Sequence, residues 1–281
     1  MSKDFVIRTL EKERFDVIME AFYRAFEHYY VSFPRNNDIF HRRFEAAMVD
    51  YSYSFGVYQD DRLVGFILHA IDERGGKKIA FNAGTGVVAE CRGQRLVQAM
   101  YDFGLPRFKK LGVEQLQLEV ITENIPAINV YLQVGFKIRR FLKCYKGSVH
   151  VATAQPLSMS QIAKEDFDWS QTNQEQYSWE NQQQSIQHGE YDYYVLEDEE
   201  GKMAAYLIIN PVSGYIPQCD VLIQEAGIWE QLLNTIAQLS GQVKINNIDS
   251  KLKEKADRIE ASGLHHYLDQ FEMSVALDEL I

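Results

Sequence analysis

Between Lys12 and Tyr30 the apolar residues fall at Phe15, Ile18, Met19, Phe22, Phe26 and Tyr29. Steps of three and four residues put them on one helical face. Residues 5–10, FVIRTL, precede this helix as a first strand, and Pro34 ends it. NNDIFHRRFEAAMVD then starts a second helix, with Asn37 or Asp38 as its cap. The pattern next becomes β-like. SYSFGVYQ and RLVGFILHAI, separated by Asp60 and Asp61, form a hairpin. After the turn ERGGKK comes the strand IAFNAGTGVVA, interrupted by Gly84 and Gly86. A helix over 96–111 ends at Gly112, and Pro106 is expected to bend it or split off its last turn. VEQLQLEVI is apolar enough for a central strand. Asn124 precedes a short helix, IPAINVYLQV, with Pro126 in its first turn. Gly135 ends it, and FKIRRFLKCYK is a further strand.

The second half repeats this order. Residues 152–190, rich in Gln, Ser and Asn, are expected to be a linker followed by poorly specified helices. Then come a hairpin over 191–210, a strand over 214–223, a helix over 226–241, a strand over 242–248, a helix over 249–263 and a final strand over 264–277. The order hairpin, strand, helix, strand, helix, Gly, strand therefore occurs twice, as a repeat of pattern with slight residue identity. The halves differ at one place. Where the first half has CRGQRL between strand and helix, the second has QEAG.

A length of 281 residues agrees with two domains of roughly 150 residues each, here 1–148 and 149–281. Apolar residues make up 46% and charged residues 25%, ordinary for a chain with a real core. A net charge of −11 argues against nucleic acid as a partner, because a phosphate backbone is held by clustered Lys and Arg. Acidity either steers a cationic substrate or simply keeps the chain in solution. No run approaches the roughly 18 apolar residues of a membrane span, and the N-terminus has no signal-peptide pattern. Cys91, Cys144 and Cys219 lack metal or disulfide spacing, and His265 and His266 point to opposite faces of a strand. The expectation is a cytoplasmic protein without a metal.

Four features of the first half bear on chemistry. The glycine-interrupted strand NAGTGVVA, ending at Val87, Val88 and Ala89, either presents unpaired backbone groups to an extended ligand or merely shapes the sheet. In CRGQRLVQA the amides from Gly93 through Gln94, Arg95 and Leu96 to Val97 lead into a helix start. With Arg92 they make either a phosphate cradle or a plain corner. Ala127 and Tyr131, four apart after Asn124, share a helical face, and Tyr131 either offers its hydroxyl to a leaving group or packs on the core. Glu119, amid LQLEVI, is either a base or a structural acid paired with an Arg.

In order and spacing these features resemble the GCN5-related N-acetyltransferase (GNAT) superfamily over roughly residues 5–147. That family's later motif N-x-x-A-x-x-x-Y-x-x-x-G-F is complete here as Asn124, Ala127, Tyr131, Gly135 and Phe136. Its turn motif [QR]-x-x-G-x-[GA] departs at two places: Arg92 fits, Arg95 stands for the glycine, and Val97 for the last small residue. LEV with Asn five residues after the Glu is also similar to the alanine N-terminal acetyltransferases of ribosomal proteins. The resemblance implies an α/β (α+β) fold of two GNAT-like domains, each a mixed, mostly antiparallel twisted sheet flanked by helices, the second degenerate. It implies acetyl transfer from acetyl-CoA to a primary amine of a small molecule or peptide, without a metal. The backbone of 87–89 would hold pantetheine and polarise the thioester by an N–H near Val88. The turn 92–97 would hold pyrophosphate, Glu119 would be the base and Tyr131 the acid. A non-catalytic acyl-CoA-binding module is the alternative. The arrangement implied is a monomer with an internal pseudo-dimer, or a homodimer.

Overall fold

A computed structural model of the protein describes residues 4–150 and 159–280. In chain order the elements are β1 (Val6–Thr9), α1 (Phe15–Ala25), α2 (Asn37–Ala46), β2 (Phe55–Gln59), β3 (Arg62–Arg74), β4 (Lys77–Val87), α3 (Leu96–Leu111), β5 (Gln115–Ile121), α4 (Ile125–Val134) and β6 (Lys137–Gly147). They continue with β7 (Ser160–Ile162), α5 (Gln183–Ile186), β8 (Asp192–Glu197), β9 (Met203–Asn210), β10 (Tyr215–Val221), α6 (Ile228–Leu239), β11 (Val243–Asp249), α7 (Lys253–Ala261) and β12 (His265–Ala276).

Two units result. The first comprises 1–139 with 271–281, and the second 140–270. The division therefore does not fall at a single point near 148. From Arg140 onward β6 belongs to the second unit, and from Phe271 onward β12 belongs to the first. Each unit thus completes its sheet with a strand encoded in the other half of the chain. Strand pairing is a matter of edge contact rather than chain proximity, so no local pattern reveals this.

In the first unit the strand order is β1-β2-β3-β4-β5-β12. The pairs from β1 to β4 are antiparallel and the β4–β5 pair is parallel. The strand β3 reads as a continuous apolar run because both of its faces are covered. Phe66 and Leu68 pack with Ile18, Phe22 and Phe40 from α1 and α2. Ile67, on the opposite face, joins Met100, Tyr101 and Phe108 of α3 and Ile128 of α4. On β5, Leu116, Leu118 and Val120 enter the same α3–α4 core, so Glu119 faces the other way.

The second unit has the order β6-β11-β10-β9-β8-β7, antiparallel except for the β10–β11 pair. Its core gathers Leu207, Trp229, Leu232, Ile245 and Ile259.

Two local expectations are corrected and one is narrowed. Pro106 neither splits nor ends α3, which is one helix from Leu96 to Leu111, and the Arg107 guanidinium donates to the Phe103 carbonyl within that turn. The cap of α2 is Asn36 rather than Asn37 or Asp38, its side chain accepting from the amides of Asp38 and Ile39. Of the stretch read as linker and helices, 152–158 lies outside the described residues. The rest is β7, a series of single 3-10 turns and the four-residue α5. Asp168 and Asn173 cap two of those turns locally and so favour turns over a longer helix.

Candidate active site

The glycine-interrupted strand creates an opening in the first unit's sheet. The β3–β4 register shifts between Leu68↔Gly84 and His69↔Asn82, which makes Ala83 a bulge residue. Pairing of β4 with β5 runs only from Ile79↔Gln115 to Asn82↔Leu118, although the strands continue to Val87 and Ile121. Past Asn82 they separate. The Val88 amide donates to Val64 O at 2.9 Å. The Val88 N–H itself is thus bonded across the sheet. An antiparallel ladder alternates, so Gly86 also engages β3 while Thr85 and Val87 turn their N–H and C=O groups into the opening. Gly86 permits the close approach of α1 there. A Cβ at that position would lie 2.7 Å from both the Ala25 Cβ and the Phe66 ring.

The turn after β4 is built as a helix start without a side-chain cap. Arg95 is the N-cap of α3 in the left-handed region, φ 56° and ψ 27°, and Gly93 has φ 74°. The arginine that stands at the motif's glycine position thus adopts a conformation that glycine takes without steric cost. The first bond of the helix runs from Ala99 N–H to Arg95 O, leaving the amides of Leu96, Val97 and Gln98 directed out of the helix end. Arg95 is exposed at this end. Arg92 also has partners within the protein. Its guanidinium donates to Val87 O at 3.0 Å and Ala25 O at 2.8 Å, fastening the turn to the end of β4 and to the C-terminal carbonyls of α1.

These elements enclose a cavity of about 660 Å³, in the range of small-molecule sites. Its wall includes Val87, the turn from Arg92 to Val97, Asn124, Ala127 and Tyr131. Val88 and Ala89 are not part of the wall. Nor is Glu119, whose charge is felt by the buried Arg74, itself bonded to Asp72 at 3.1 Å. The sequence thus named most of the wall but not its opposite side, where Phe26, His28 and Tyr29 follow the end of α1. Helical spacing placed Phe26 and Tyr29 on the core face of a helix ended by Pro34, but α1 stops at Ala25, before they are reached.

Tyr131 is 7% exposed and reaches the cavity from α4. Burial pushes its phenol up to about 12, against the hydrogen bonds of Thr85 and Asn82, which act in the opposite direction. The phenol therefore holds its proton at neutral pH. Asn124 caps α4 by accepting from Ala127 N–H at 3.3 Å, and its amide donates to Tyr29 OH at 3.3 Å. Below them, Asn82 Nδ2 donates to Thr85 Oγ1 at 2.7 Å and to Tyr101 OH at 2.9 Å. Gly84 N–H donates to Asn82 Oδ1 at 3.0 Å.

The corresponding place in the second unit is also a cavity, of about 720 Å³, with Asp220, Trp229 and Lys255 in its wall. Lys255 precedes Gly263 by the same interval that Ala127 precedes Gly135, and Ile259 stands where Tyr131 would. Lys255 is buried, donating to Cys219 O on β10 and lying 3.3 Å from Tyr177 OH and 3.4 Å from Asp220. Burial works against its charge, but Asp220, Cys219 and Tyr206 outweigh it, and the ammonium titrates above its ordinary range. A cation therefore stands against β10 at the position where the first unit has a small alanine.

Residues 15–136 match the family model described as "Acetyltransferase (GNAT) family". No curated protein matches the sequence. The fold is similar to a GCN5-related glucosamine N-acetyltransferase region in a fungal multi-domain GH3 β-N-acetylglucosaminidase. The identity there is 12% and the TM-score 0.73, covering 97% of this chain and 38% of that one. A GCN5-related N-acetyltransferase from Sphaerobacter thermophilus is similar at 12% identity and TM-score 0.69, over 97% and 96% of the two chains. A tandem GNAT protein from the clavulanic acid biosynthesis pathway is similar at 16% identity and TM-score 0.65, over 98% of each. Among the described residues, no group of three His, Cys, Asp or Glu side chains has metal-binding geometry, and no helix is long and apolar enough to cross a membrane.

Proposed function

We propose that the chain is an acyltransferase whose first unit moves an acetyl group from acetyl-CoA to a primary amine. The match of residues 15–136 to the GNAT acetyltransferase family model, and a fold similar to that of a tandem GNAT protein, support this reading. The observation that carries this reading is one cavity joining three things: the opening past Asn82, the uncapped start of α3, and the protonated Tyr131. The residues fit the donor. Thr85 and Val87 offer strand-like backbone bonds to a pantetheine arm, and the amides of Leu96 to Gln98 with the exposed Arg95 suit a pyrophosphate. When bound, acetyl-CoA supplies an acyl group activated as a thioester. The Val87 amide polarises the carbonyl, and Tyr131 donates a hydrogen bond where negative charge grows on sulfur. Glu119, off the cavity wall, takes the amine's proton through water.

The test is calorimetric titration with acetyl-CoA, followed by CoA release on a panel of amines. Tyr131→Phe is expected to bind acetyl-CoA as the parent does and to lose roughly 100-fold in kcat, the ordinary effect of a positioned acid. Absence of binding at high micromolar acetyl-CoA, or an unchanged kcat in Tyr131→Phe, would overturn the proposal.

A further inference from the structure

The rim of the cavity beside α4 is apolar and held in place by hydrogen bonds. Tyr30 OH donates to Glu123 O at 3.0 Å, and Ile125 N–H donates to the same oxygen at 2.9 Å. One carbonyl thus brings Tyr30 and Ile125 to a common rim, and both stay open to solvent, at 52% and 56% exposure. The rim leads inward through aromatic rings. Tyr30 meets Tyr29 with centroids 5.3 Å apart, Tyr29 meets Phe26 at 4.8 Å, and all three line the cavity. Asn124 fastens Tyr29 in turn, through its hydroxyl at 3.3 Å.

The start of α4 differs from that of α3 in what it offers a ligand. Its first donors are spent or absent. Ile125 N–H serves Glu123 O, Pro126 has no N–H, Ala127 N–H serves Asn124 Oδ1, and Ile128 N–H serves Asn124 O. A carboxylate or a peptide carbonyl arriving at this rim would find no backbone partner, and burying it unpaired is costly. The arginines of the wall, Arg92 and Arg95, belong to the turn after β4. On the side of Tyr29 and Tyr30 the titratable wall residues are Glu27 and His28, and the carboxylate of Glu27 suits an approaching ammonium.

Resting on the transfer reading above, we propose that the acceptor is a small arylalkylamine, a primary amine with an apolar ring and no carboxylate or phosphate. Its ring lies against Tyr30 and Ile125, and its nitrogen reaches inward toward Tyr131. The deprotonated amine forms the new N–C bond as the C–S bond breaks. The proton that nitrogen then sheds balances the departing thiolate, so the products are a neutral amide and CoA.

The test compares amines at saturating acetyl-CoA by release of CoA. The panel is 2-phenylethylamine, propylamine, phenylalanine, glucosamine, spermidine and a short peptide with a free N-terminal Phe. The expected order puts 2-phenylethylamine first, at least about tenfold above propylamine in kcat/KM through a lower KM. Phenylalanine, the same ring with a carboxylate added, should fall at least about tenfold below it. Tyr30→Ala and Ile125→Ala should each cut the preference for 2-phenylethylamine over propylamine by about 5–10-fold, and Tyr30→Phe should keep most of it. General damage to the fold lowers both amines alike and leaves that ratio unmoved, so an unmoved ratio in Tyr30→Ala overturns this inference. A higher kcat/KM for phenylalanine, glucosamine, spermidine or the peptide overturns it alone, with acetyl transfer standing. Release of CoA by none of the six overturns the transfer reading as well.

Discussion

Arg95 joins strain and function in one residue, and two substitutions separate them. A non-glycine residue in the left-handed region costs roughly 1–2 kcal/mol, and Arg95 holds φ 56° with its side chain exposed. Arg95→Gly relieves that cost but gives the unfolded chain more freedom, worth about 0.5–1 kcal/mol. The net expectation is a gain of about 0.5–1 kcal/mol, or a melting temperature about 2–3 °C higher for a protein of this size. Arg95→Ala removes the same guanidinium but retains the strain, so it should melt within about 1 °C of the parent. Both should weaken acetyl-CoA binding alike, by about 5–10-fold at low salt, as loss of one exposed charge facing a phosphate does. Thermal unfolding and calorimetry of the three proteins, side by side, decide the matter. If Arg95→Gly melts no higher than Arg95→Ala, the left-handed conformation is not costing the fold, and the physical reasoning about this turn is wrong.

Three further outcomes follow from buried contacts. His69, fully buried among Phe55, Tyr101 and Phe108 and bonded through Nδ1 to Tyr53 O, is pushed down to about 3 by burial. The unfolded chain takes up this proton near pH 6.5 and the folded one only near 3. Stability is therefore lost as pH falls between those values, by about 2 kcal/mol between pH 7 and 5. Urea midpoints of His69→Phe should show that much less dependence over this window, and an unchanged slope would count against the assignment. Gly86→Ala sets a methyl against Ala25 and Phe66 and should cost about 2 kcal/mol; a neutral result in chemical denaturation would mean that α1 yields freely. Lys255→Met leaves Asp220 without its buried cation and should destabilise by about 3 kcal/mol. A loss below about 1 kcal/mol would show that this ion pair does not tie α7 to β10.

The hydrophobic pattern by itself determined the twofold order of elements, because periods of 2 and 3.6 residues are written locally. It also carried the later motif, since Asn124, Ala127 and Tyr131 owe their common face to helical spacing alone. Glu119's opposition to the α3–α4 core likewise follows from strand alternation. Tertiary structure decided the rest. Whether Arg95 needed a positive φ depended on how a strand end and a helix start meet. That Arg92 also reaches a carbonyl at the end of α1 depended on Ala25, far away in sequence. The Asn82–Thr85 cluster is invisible in a pattern that scores polar residues in a strand only as interruptions. The allotment of β6 and β12 to units encoded in opposite halves of the chain was equally hidden. A strand's sequence specifies which face is buried, but its edges are unspecific backbone that accepts any partner of suitable register, so only the assembled fold chooses the neighbour.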